Sequence, residues 1–197
     1  KDQTIRFISD FRELNKRIKR KPFPIPKIQD LLLSLEGFKY ATSLDLNMGF
    51  YHIELTPSSS ALCTIVLPWG KYEYLKLPMG LCNSPDIFQE KVNELFYGLD
   101  YVKAYIDDLL IITKDSFEEH LNKVGQVLHK LNNAGLKINI GKSCFCKTEL
   151  EYLGYWITQT GIRPLTKKVE AIHRIKAPTT RKALRSFIGI VNYYRNM

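Results

Sequence analysis

The sequence predicts an α+β fold in which a sheet carries helices on one face. The first observation is an apolar, β-prone run over residues 102–113 that is interrupted by Asp107 and Asp108, as in two strands joined by a two-residue turn. The second is a pair of segments that begin at Ser84 and Ser116 and carry apolar residues at helical spacing. Strand-like segments before and after these helices complete a pattern that is typical of an α+β sheet.

The composition indicates a single globular domain. The chain has 197 residues, of which 45% are hydrophobic and 25% are charged, so it can bury a sizeable core and is unlike disordered, collagen-like or coiled-coil chains. No apolar run approaches the roughly 18 residues that span a bilayer. The first residues also lack the apolar segment of a secretory leader. We therefore expect neither a membrane partner nor secretion.

An excess of basic residues favours a polyanionic partner. Lys and Arg number 29 against 20 Asp and Glu, which gives a formal charge of +9. Nucleic acid is the leading candidate for such a partner, although charge alone leaves open a merely soluble basic protein. The four cysteines form no C-x-x-C pair and have no partners at zinc-finger spacing, so a reducing, intracellular compartment fits best.

The N-terminal quarter is predicted to form short elements around a proline-rich tract. Residues 5–8 indicate a strand, and residues 11–16 indicate a helical turn. The three prolines of residues 22–26 favour an extended segment, because proline resists both helix and central strand. Residues 28–35 then have the apolar spacing of a helix, and residues 40–46 are typical of a strand.

The middle of the chain contains a hairpin signal and a helix start. Residues 70–77 are predicted to form a hairpin. A helix then begins at Ser84, which is suited to capping, and continues with Pro85 at its first position and Asp86 near the positive end of its dipole. The face that this helix buries is predicted to consist of Phe88, Val92, Leu95 and Leu99.

A second helix and several strands follow. Ser116 and Glu119 have the spacing of a capping box, and Gly135 ends the helix. The remaining predicted elements are strands over residues 136–140, 143–146 and 152–158 and helices over residues 167–176 and 181–194.

The adjacent carboxylates of Asp107 and Asp108 are the sharpest chemical signal. Two ionised groups inside an apolar hairpin repel each other and lose hydration unless a positive charge compensates. A divalent cation is the simplest compensation, and hard oxygen ligands suit Mg²⁺ or Mn²⁺. The alternative is a solvated turn, in which Asp is common.

A third carboxylate, Asp45, interrupts another strand-like stretch over residues 40–46. If this strand pairs beside the hairpin, three carboxylates converge at one end of the sheet. Such a group can hold two metal ions roughly 3.5–4 Å apart for an in-line phosphoryl transfer. The alternative is that Asp45 is a strand-end residue facing water.

Seven short motifs occur in order along nearly the whole chain. They are IRFISDFRELN (residues 5–15), PFPIP (22–26), SLDLNMGFY (43–51), LPMGLCNSPDIFQ (77–89), YIDD (105–108), YLGY (152–155) and FIGIVNYYR (187–195). Each is weak alone. In register, they resemble the reverse transcriptase, or RNA-directed DNA polymerase, of long-terminal-repeat retroelements, most closely that of the gypsy-type retrotransposon Pol polyprotein.

The resemblance implies a polymerase palm, which is a ferredoxin-like antiparallel sheet with helices on one face, plus partial fingers and the start of the thumb. Residues 1–39 would form partial fingers and the entry to the palm. Residues 40–158 would be mainly palm, with an inserted fingers segment near 53–78, and residues 159–197 would begin the thumb.

The resemblance also implies a reaction. Asp45, Asp107 and Asp108 match the family's catalytic triad, which together with Leu46 would bind two Mg²⁺ ions, with Mn²⁺ as a substitute. The enzyme would join the 3′-hydroxyl of a primer to the α-phosphate of a deoxynucleoside triphosphate (dNTP) on an RNA or DNA template. In such phosphoryl transfer, the protein contributes mainly positioning and electrostatics.

Nucleotide-binding roles follow from the same resemblance for Arg6, Leu46, Asn47, Met48, Gly49, Phe50 and Met79. Arg6 would contact the triphosphate, and Phe50 would exclude a ribose 2′-hydroxyl. Met79 stands where Phe or Gln is usual in the family, so the contact with the template base is altered. Without the resemblance, Arg6 is typical of a solvated strand residue and Phe50 of core packing.

The resemblance assigns the primer grip to Leu153, Gly154 and Tyr155 and template or primer contacts to Lys16, Arg17, Pro85, Gln89 and Tyr105. The basic cluster of residues 16–21 is otherwise explained as a solvated charge run. A strand with a packing glycine is the equal alternative for residues 153–155. Asp86 stands where the family usually has a small residue.

Two other functions compete with polymerisation. One is a catalytically inactive or domesticated nucleic-acid-binding remnant of the same fold, against which the complete Asp triad argues. The other is a sheet-based module similar to an RNA recognition motif, whose aromatic signature the sequence lacks. By resemblance, the parent is a polyprotein with protease, RNase H and integrase segments. Its expected location is intracellular, in a cytoplasmic particle, with the nucleus left open as an alternative.

Overall fold

The computed structural model describes residues 7–33, 35 and 37–193. Its α-helices are α1 (Arg12–Asn15), α2 (Ile28–Leu33), α3 (Pro57–Leu62), α4 (Ser84–Leu95), α5 (Phe117–Asn133), α6 (Thr166–His173) and α7 (Arg181–Tyr193). Its strands are β1 (Tyr40–Asp45), β2 (Thr64–Leu67), β3 (Gly70–Glu73), β4 (Val102–Tyr105), β5 (Asp108–Thr113), β6 (Cys144–Lys147), β7 (Glu149–Tyr152), β8 (Tyr155–Thr158) and β9 (Gly161–Pro164). Short 3₁₀ helices occupy Gly49–His52 and Ile140–Lys142.

The central sheet has the strand order β4-β5-β1-β6, and each neighbouring pair is antiparallel. After β1 come several short elements and then the long helix α4, which leads into the β4–β5 hairpin. Helix α5 connects β5 to β6. This β-α-β-β-α-β order is the ferredoxin-like arrangement. The predicted α+β fold with an antiparallel sheet is therefore confirmed.

Strand alternation divides the residues of β1 and β5 between the two faces of this sheet. Leu44, Leu109 and Ile111 belong to a buried cluster with Phe88 of α4 and Val127 of α5. The residues between them point to the opposite face. The two helices therefore cover one face of the sheet, as the sequence predicts.

The opposite face of the central sheet is also covered. Ala41 and Leu110 pack there in a cluster that includes Leu31 of α2 and Tyr152 and Ile157 of the small antiparallel sheet β7-β8-β9. The expectation of helices on one face is thus correct for α4 and α5, but a second sheet closes the other side. Its third strand, β9, was not predicted.

Several predicted boundaries change for physical reasons. Residues 5 and 6 lie outside the described residues, and Phe7 and Ile8 are not in a strand. The hairpin predicted at residues 70–77 begins earlier, because β2 pairs with β3 from Thr64 onward. The predicted strand 136–140 is reduced to one bridge, between Leu46 and Ile138. The predicted strand 152–158 is interrupted by a tight turn that separates β7 from β8.

The two long helices begin differently. At α5 the prediction is confirmed, since the Ser116 hydroxyl accepts a hydrogen bond from the Glu119 amide at 3.2 Å. At α4 the cap position is Asn83, and the Ser84 hydroxyl instead donates to the Pro78 carbonyl at 2.8 Å. Ser84 therefore ties the helix to the preceding loop.

Asp86, in the first turn of α4, forms an ion pair that the sequence did not reveal. Its carboxylate is 2% exposed and accepts hydrogen bonds from Arg20 Nε at 3.0 Å and from the Phe23 amide at 3.0 Å. The hydrogen bond from Arg20 is the main reason that the pKa of Asp86 lies below its usual value. Arg20 thus fixes the proline-rich tract against α4.

Within the described part of the chain, no helix is both long enough and apolar enough to cross a bilayer.

A buried histidine links α5 to the central sheet. His120 is fully buried, and its Nε2 and Nδ1 atoms lie 2.8 Å and 2.9 Å from the hydroxyls of Thr42 and Thr113. The Thr42 hydroxyl also accepts a hydrogen bond from the Cys146 amide at 3.0 Å. Burial, with a smaller effect from the Lys123 charge, lowers the pKa of His120, so the folded protein favours the neutral ring.

We expect this histidine to make folding pH-dependent. As the pH falls through about 6.5, the unfolded chain protonates His120 while the folded chain resists, so the free energy of unfolding decreases. His120→Gln removes this contribution and flattens the decrease, whereas replacement of the exposed His129 by Gln leaves it unchanged. Urea unfolding between about pH 7.5 and about pH 5.5 measures both slopes. Equal slopes in wild type and His120→Gln would contradict the prediction.

Candidate active site

Two of the three predicted carboxylates face each other across neighbouring strands. Asp45 ends β1, Asp108 begins β5, and the two residues are directly paired in the β1–β5 register. By alternation, both lie on the sheet face away from α4 and α5. The end of β1 is held by the Asn139 amide, which donates to the Asp45 carbonyl at 2.8 Å, and by the Ser143 hydroxyl, which accepts from the Asp45 amide at 3.2 Å.

The electrostatics of this pair favour binding of a cation. Burial raises the pKa of Asp108, the negative charge of Asp45 raises it further, and the positive charge of Lys142 partly opposes both effects. A further positive charge bound beside Asp108 would oppose the first two effects and favour its ionised form.

Asp107 occupies the turn between β4 and β5, but the turn differs from the prediction. Its two residues are Ile106 and Asp107, and Asp108 already belongs to β5. Ile106 has a left-handed backbone with φ of +53°. The turn is tied to the end of β1 by the Leu46 amide, which donates to the Asp107 carbonyl at 2.8 Å.

Gly49 leaves room for the Asp107 side chain. A Cβ atom at this position would collide with Asp107 Oδ1 and with the ring of Phe88. The glycine therefore lets the Asp107 carboxylate lie against the start of the 3₁₀ helix Gly49–His52. The carboxylates of Asp45 and Asp108, in contrast, lie beside a separate pocket that both residues line.

A pocket of about 400 Å³ lies beside Asp45 and Asp108. Lys142, Tyr152 and Gly154 line it together with the two carboxylates. The Tyr152 hydroxyl donates a hydrogen bond to the Asp108 carbonyl at 3.3 Å, and burial raises the pKa of this phenol. Tyr152 therefore connects β7 to the first residue of β5. The pocket has the carboxylates on one wall and the β7–β8 turn on another.

The donor set suits a hard divalent cation, since Asp45 and Asp108 offer carboxylate oxygens from two adjacent strands. Among the described residues, no three or more His, Cys, Asp or Glu side chains form a ready metal-binding group. The fit therefore rests on the opposed pair, and Asp107 contributes a neighbouring carboxylate turned toward Gly49. The role of all three as metal ligands stays a prediction.

Gln89 supports the Asp107 turn from inside the protein. Its side chain is fully buried, its Oε1 accepts from the Ile106 amide at 2.7 Å, and its Nε2 donates to the Ala104 carbonyl at 3.1 Å. A second donation reaches Asn93 Oδ1 at 2.9 Å. The predicted template contact is thus not available to this side chain in the structure, because all of its polar atoms face protein.

The predicted nucleotide-binding segment directly follows Asp45. Met48 is half exposed and has a left-handed backbone with φ of +54°, and it leads into the 3₁₀ helix that contains Phe50. The Phe50 ring packs edge-to-face on Phe88 with 5.4 Å between ring centroids. The Asn47 amide donates to the Lys137 carbonyl at 2.7 Å. Arg6 lies outside the described residues.

Asn15 holds the Met79 loop in place. Its side-chain nitrogen donates to the Gly80 carbonyl at 2.8 Å, and its side-chain oxygen accepts from the Cys82 amide at 2.9 Å. Met79 itself is half-buried. One amide from α1 therefore joins the N-terminal unit to the loop that precedes α4.

The predicted primer-grip residues have different exposures. Leu153 and Gly154 form the β7–β8 turn and line the pocket beside Asp45 and Asp108. The Tyr155 side chain is 1% exposed and packs in the core beneath the turn. Only the turn itself is therefore open to a ligand.

The remaining predicted template contacts are spread over the N-terminal and central parts of the chain. Lys16 and Arg17 are exposed, and Lys16 also forms a salt bridge of 2.6 Å with Glu13. Pro85 and Tyr105 are half-buried.

Two residues that line the pocket were not predicted from the sequence. Lys142 was missed because only the pairing of β6 with β1 brings it near Asp108. Tyr152 could have been found, because it lies within the YLGY motif.

The chain is similar to one group of known proteins over nearly its whole length. Residues 1–157 match the family described as reverse transcriptase (RNA-dependent DNA polymerase). The chain is 38% identical over 198 residues to the retrovirus-related Pol polyprotein from transposon opus of Drosophila melanogaster, an alignment that covers 98% of this chain and 19% of the relative. It is 35% identical over 197 residues to the transposon Tf2-3 polyprotein of Schizosaccharomyces pombe, which covers 99% of this chain and 15% of the relative. The chain thus spans a fifth or less of these relatives.

Solved structures show the same fold. The foamy viral protease-reverse transcriptase dRH in complex with double-stranded DNA has a TM-score of 0.89 and 28% sequence identity, over 96% of this chain and 33% of that protein. The foamy viral protease-reverse transcriptase in complex with an RNA/DNA hybrid has a TM-score of 0.83 and 28% identity, over 94% of this chain and 25% of that protein.

We expect Gln89→Met to loosen the Asp107 turn. The substitution keeps the volume but leaves the amide of Ile106 and the carbonyl of Ala104, two half-buried residues, without their partner. This loss costs about 2 kcal/mol of unfolding free energy. Hydrogen exchange at the Ile106 amide should accelerate. The matched control is replacement of the exposed Gln29 of α2 by Met, with an expected change below about 0.5 kcal/mol. An unchanged Ile106 exchange rate would show that Gln89 does not hold the turn.

Proposed function

The chain belongs to the reverse transcriptase (RNA-dependent DNA polymerase) family, and we propose that it forms the polymerase core of a retrotransposon Pol polyprotein. In this role it extends a primer 3′-hydroxyl with dNTP on an RNA or DNA template and releases pyrophosphate. The observation that carries the proposal is the opposed pair Asp45 and Asp108 in a pocket at one end of the ferredoxin-like sheet.

The chemistry of this pair supports a two-metal reaction. Asp45, Asp107, Asp108 and the main chain of Leu46 would hold two Mg²⁺ ions, with Mn²⁺ as a substitute. When bound, such ions favour deprotonation of the attacking hydroxyl and offset charge on the leaving phosphate oxygens. The three carboxylates would position the metal ions. Hydrogen bonds around Asp45 and the Asp107 turn hold the main chain in place, so the site needs little rearrangement during the reaction.

Substrate binding is proposed for the segment after Asp45. The main chain over Leu46, Asn47, Met48 and Gly49 receives the triphosphate, and Arg6 neutralises part of its charge. Met79 contacts the base pair from the loop held by Asn15. Phe50 stands under the sugar, and its edge-to-face packing on Phe88 supports a fixed ring that excludes a 2′-hydroxyl.

The template and primer are proposed to lie along the face that carries the pocket. The foamy viral relatives are complexes with double-stranded DNA and with an RNA/DNA hybrid, and the formal charge of +9 suits such polyanions. Leu153 and Gly154 would hold the primer end. Residues 40–158 would then be mainly palm with a fingers segment near 53–78, preceded by partial fingers and followed by the start of the thumb.

The parent protein is proposed to be a polyprotein with protease, RNase H and integrase segments that works inside the cell. The relatives carry polyprotein names, and this chain covers a fifth or less of their length. The competing proposal is a nucleic-acid-binding remnant without catalysis. The complete set Asp45, Asp107 and Asp108 favours activity, because a binding module has no need of three costly acids near one another.

Primer extension with matched variants decides between these proposals. We expect the chain to extend a DNA primer on RNA with Mg²⁺ and dNTP, and Asp108→Asn to lower incorporation about a hundredfold or more, because charge stabilisation at the reacting phosphate is lost. Asp107→Asn should act similarly, and both variants should keep duplex binding. The control is replacement of the exposed Asp100 by Asn, which should extend normally. Duplex binding without extension by wild type would support the remnant instead.

We expect Phe50→Val to relax sugar selection. The smaller side chain leaves space for a 2′-hydroxyl, so the ratio of ribonucleotide to deoxynucleotide incorporation should rise about tenfold or more. Single-nucleotide incorporation with each substrate measures this ratio. Phe145→Val on β6, away from the pocket, is the control. A ratio that does not change in Phe50→Val would remove the proposed role of this ring.

A further inference from the structure

The turn between β7 and β8 forms one wall of the pocket that holds Asp45 and Asp108. Leu153 and Gly154 are its two central residues, and both have left-handed backbones with φ of +48° and +80°. Two successive positive φ values are typical of a type I′ hairpin turn, which is costly for a leucine. Other contacts must therefore hold this turn in place.

Lys168 of α6 makes two such contacts. Its Nζ donates a hydrogen bond to the Gly154 carbonyl at 3.1 Å and lies 5.5 Å from the centroid of the Tyr155 ring. A Cβ atom at Gly154 would collide with this ammonium, so the glycine leaves room for Lys168 in its present position. One cation thus bridges α6, the turn carbonyl and the aromatic ring below the turn.

The ammonium of Lys168 is held by two neutral groups, the Gly154 carbonyl and the Tyr155 ring. In the part of the chain that the structure describes, no salt bridge joins Lys168 to an acidic side chain. Its neighbour Lys167 is exposed, whereas Lys168 is half-buried. The half-buried ammonium therefore acts on the turn through its carbonyl and ring contacts, at the edge of a pocket that Asp45, Asp108 and Glu151 also line.

We infer that Lys168 is a positioning residue that holds the turn of Leu153 and Gly154 against the terminal nucleotide of a primer and couples that turn to α6. The inference rests on the proposed function, since it assumes that the pocket receives a primer end. It adds a residue outside the segments to which the sequence motifs assign substrate contacts. It also makes α6 an active part of the primer site through a single side chain.

Binding to two DNA duplexes tests the inference without requiring catalysis. The probes are a duplex with a recessed 3′ end, labelled with 2-aminopurine at the primer terminus, and a blunt duplex of equal length. We expect wild type to prefer the recessed end and Lys168→Met to lower that preference about tenfold, as expected for loss of a charged hydrogen bond. Lys168→Arg should largely restore the preference, because its guanidinium also donates to a carbonyl and packs on a ring.

Three controls make the result decisive. Lys167→Met removes the same charge one residue away and should keep the preference. Thermal unfolding shows whether Lys168→Met is folded. If Lys168→Met is not folded, Lys168→Arg becomes the test variant, and loss of the preference in Lys168→Arg would overturn the inference. An unchanged preference in folded Lys168→Met, an equal loss in Lys167→Met, or no preference in wild type would also overturn it. Failure of the proposed function is a separate result, namely terminus preference without primer extension by wild type.

Discussion

The antiparallel pairing of β1 with β5 is the constraint on which the rest of the site depends. It sets Asp45 opposite Asp108 and, through strand alternation, places both on the face away from α4 and α5. A slip of β1 by one residue would turn Asp45 into the apolar layer around Leu109 and would remove Leu44 from that layer. The hydrophobic core therefore enforces the register, and the register delivers the two acids to one pocket.

The acids are kept close by neutral supports that surround them. Gln89 satisfies the Ile106 amide and the Ala104 carbonyl, and Tyr152 donates to the Asp108 carbonyl from the second sheet. Because each support is buried, it works in surroundings where an unmade hydrogen bond is costly. Gly49 completes the arrangement by leaving room for the Asp107 carboxylate. These contacts thus hold the main chain around Asp45 and Asp108 in place.

Local signals in the sequence predicted much of this molecule, and long-range pairing explains the remainder. The Ser116 cap depends on neighbours three residues apart, and the apolar alternation of β5 depends on its own strand, so both were predictable. The site residues near Asp45 came from motif order. The inward direction of Gln89 was not predictable, because helix periodicity does not say which polar residue meets a turn from β4. The tight turn at Gly154 was hidden inside a continuous β-prone run.

The ion pair between Arg20 and Asp86 imposes an order on how the sequence can change. Arg20 is 58% exposed, whereas Asp86 is 2% exposed. Loss of the arginine first strands a buried negative charge that the Phe23 amide alone must satisfy, which is the costly direction. Loss of the aspartate first leaves an arginine that water solvates readily. Substitution of Asp86 before Arg20 is therefore the less destabilising order during evolution. A diverging copy that keeps Asp86 is expected to keep a cation at position 20.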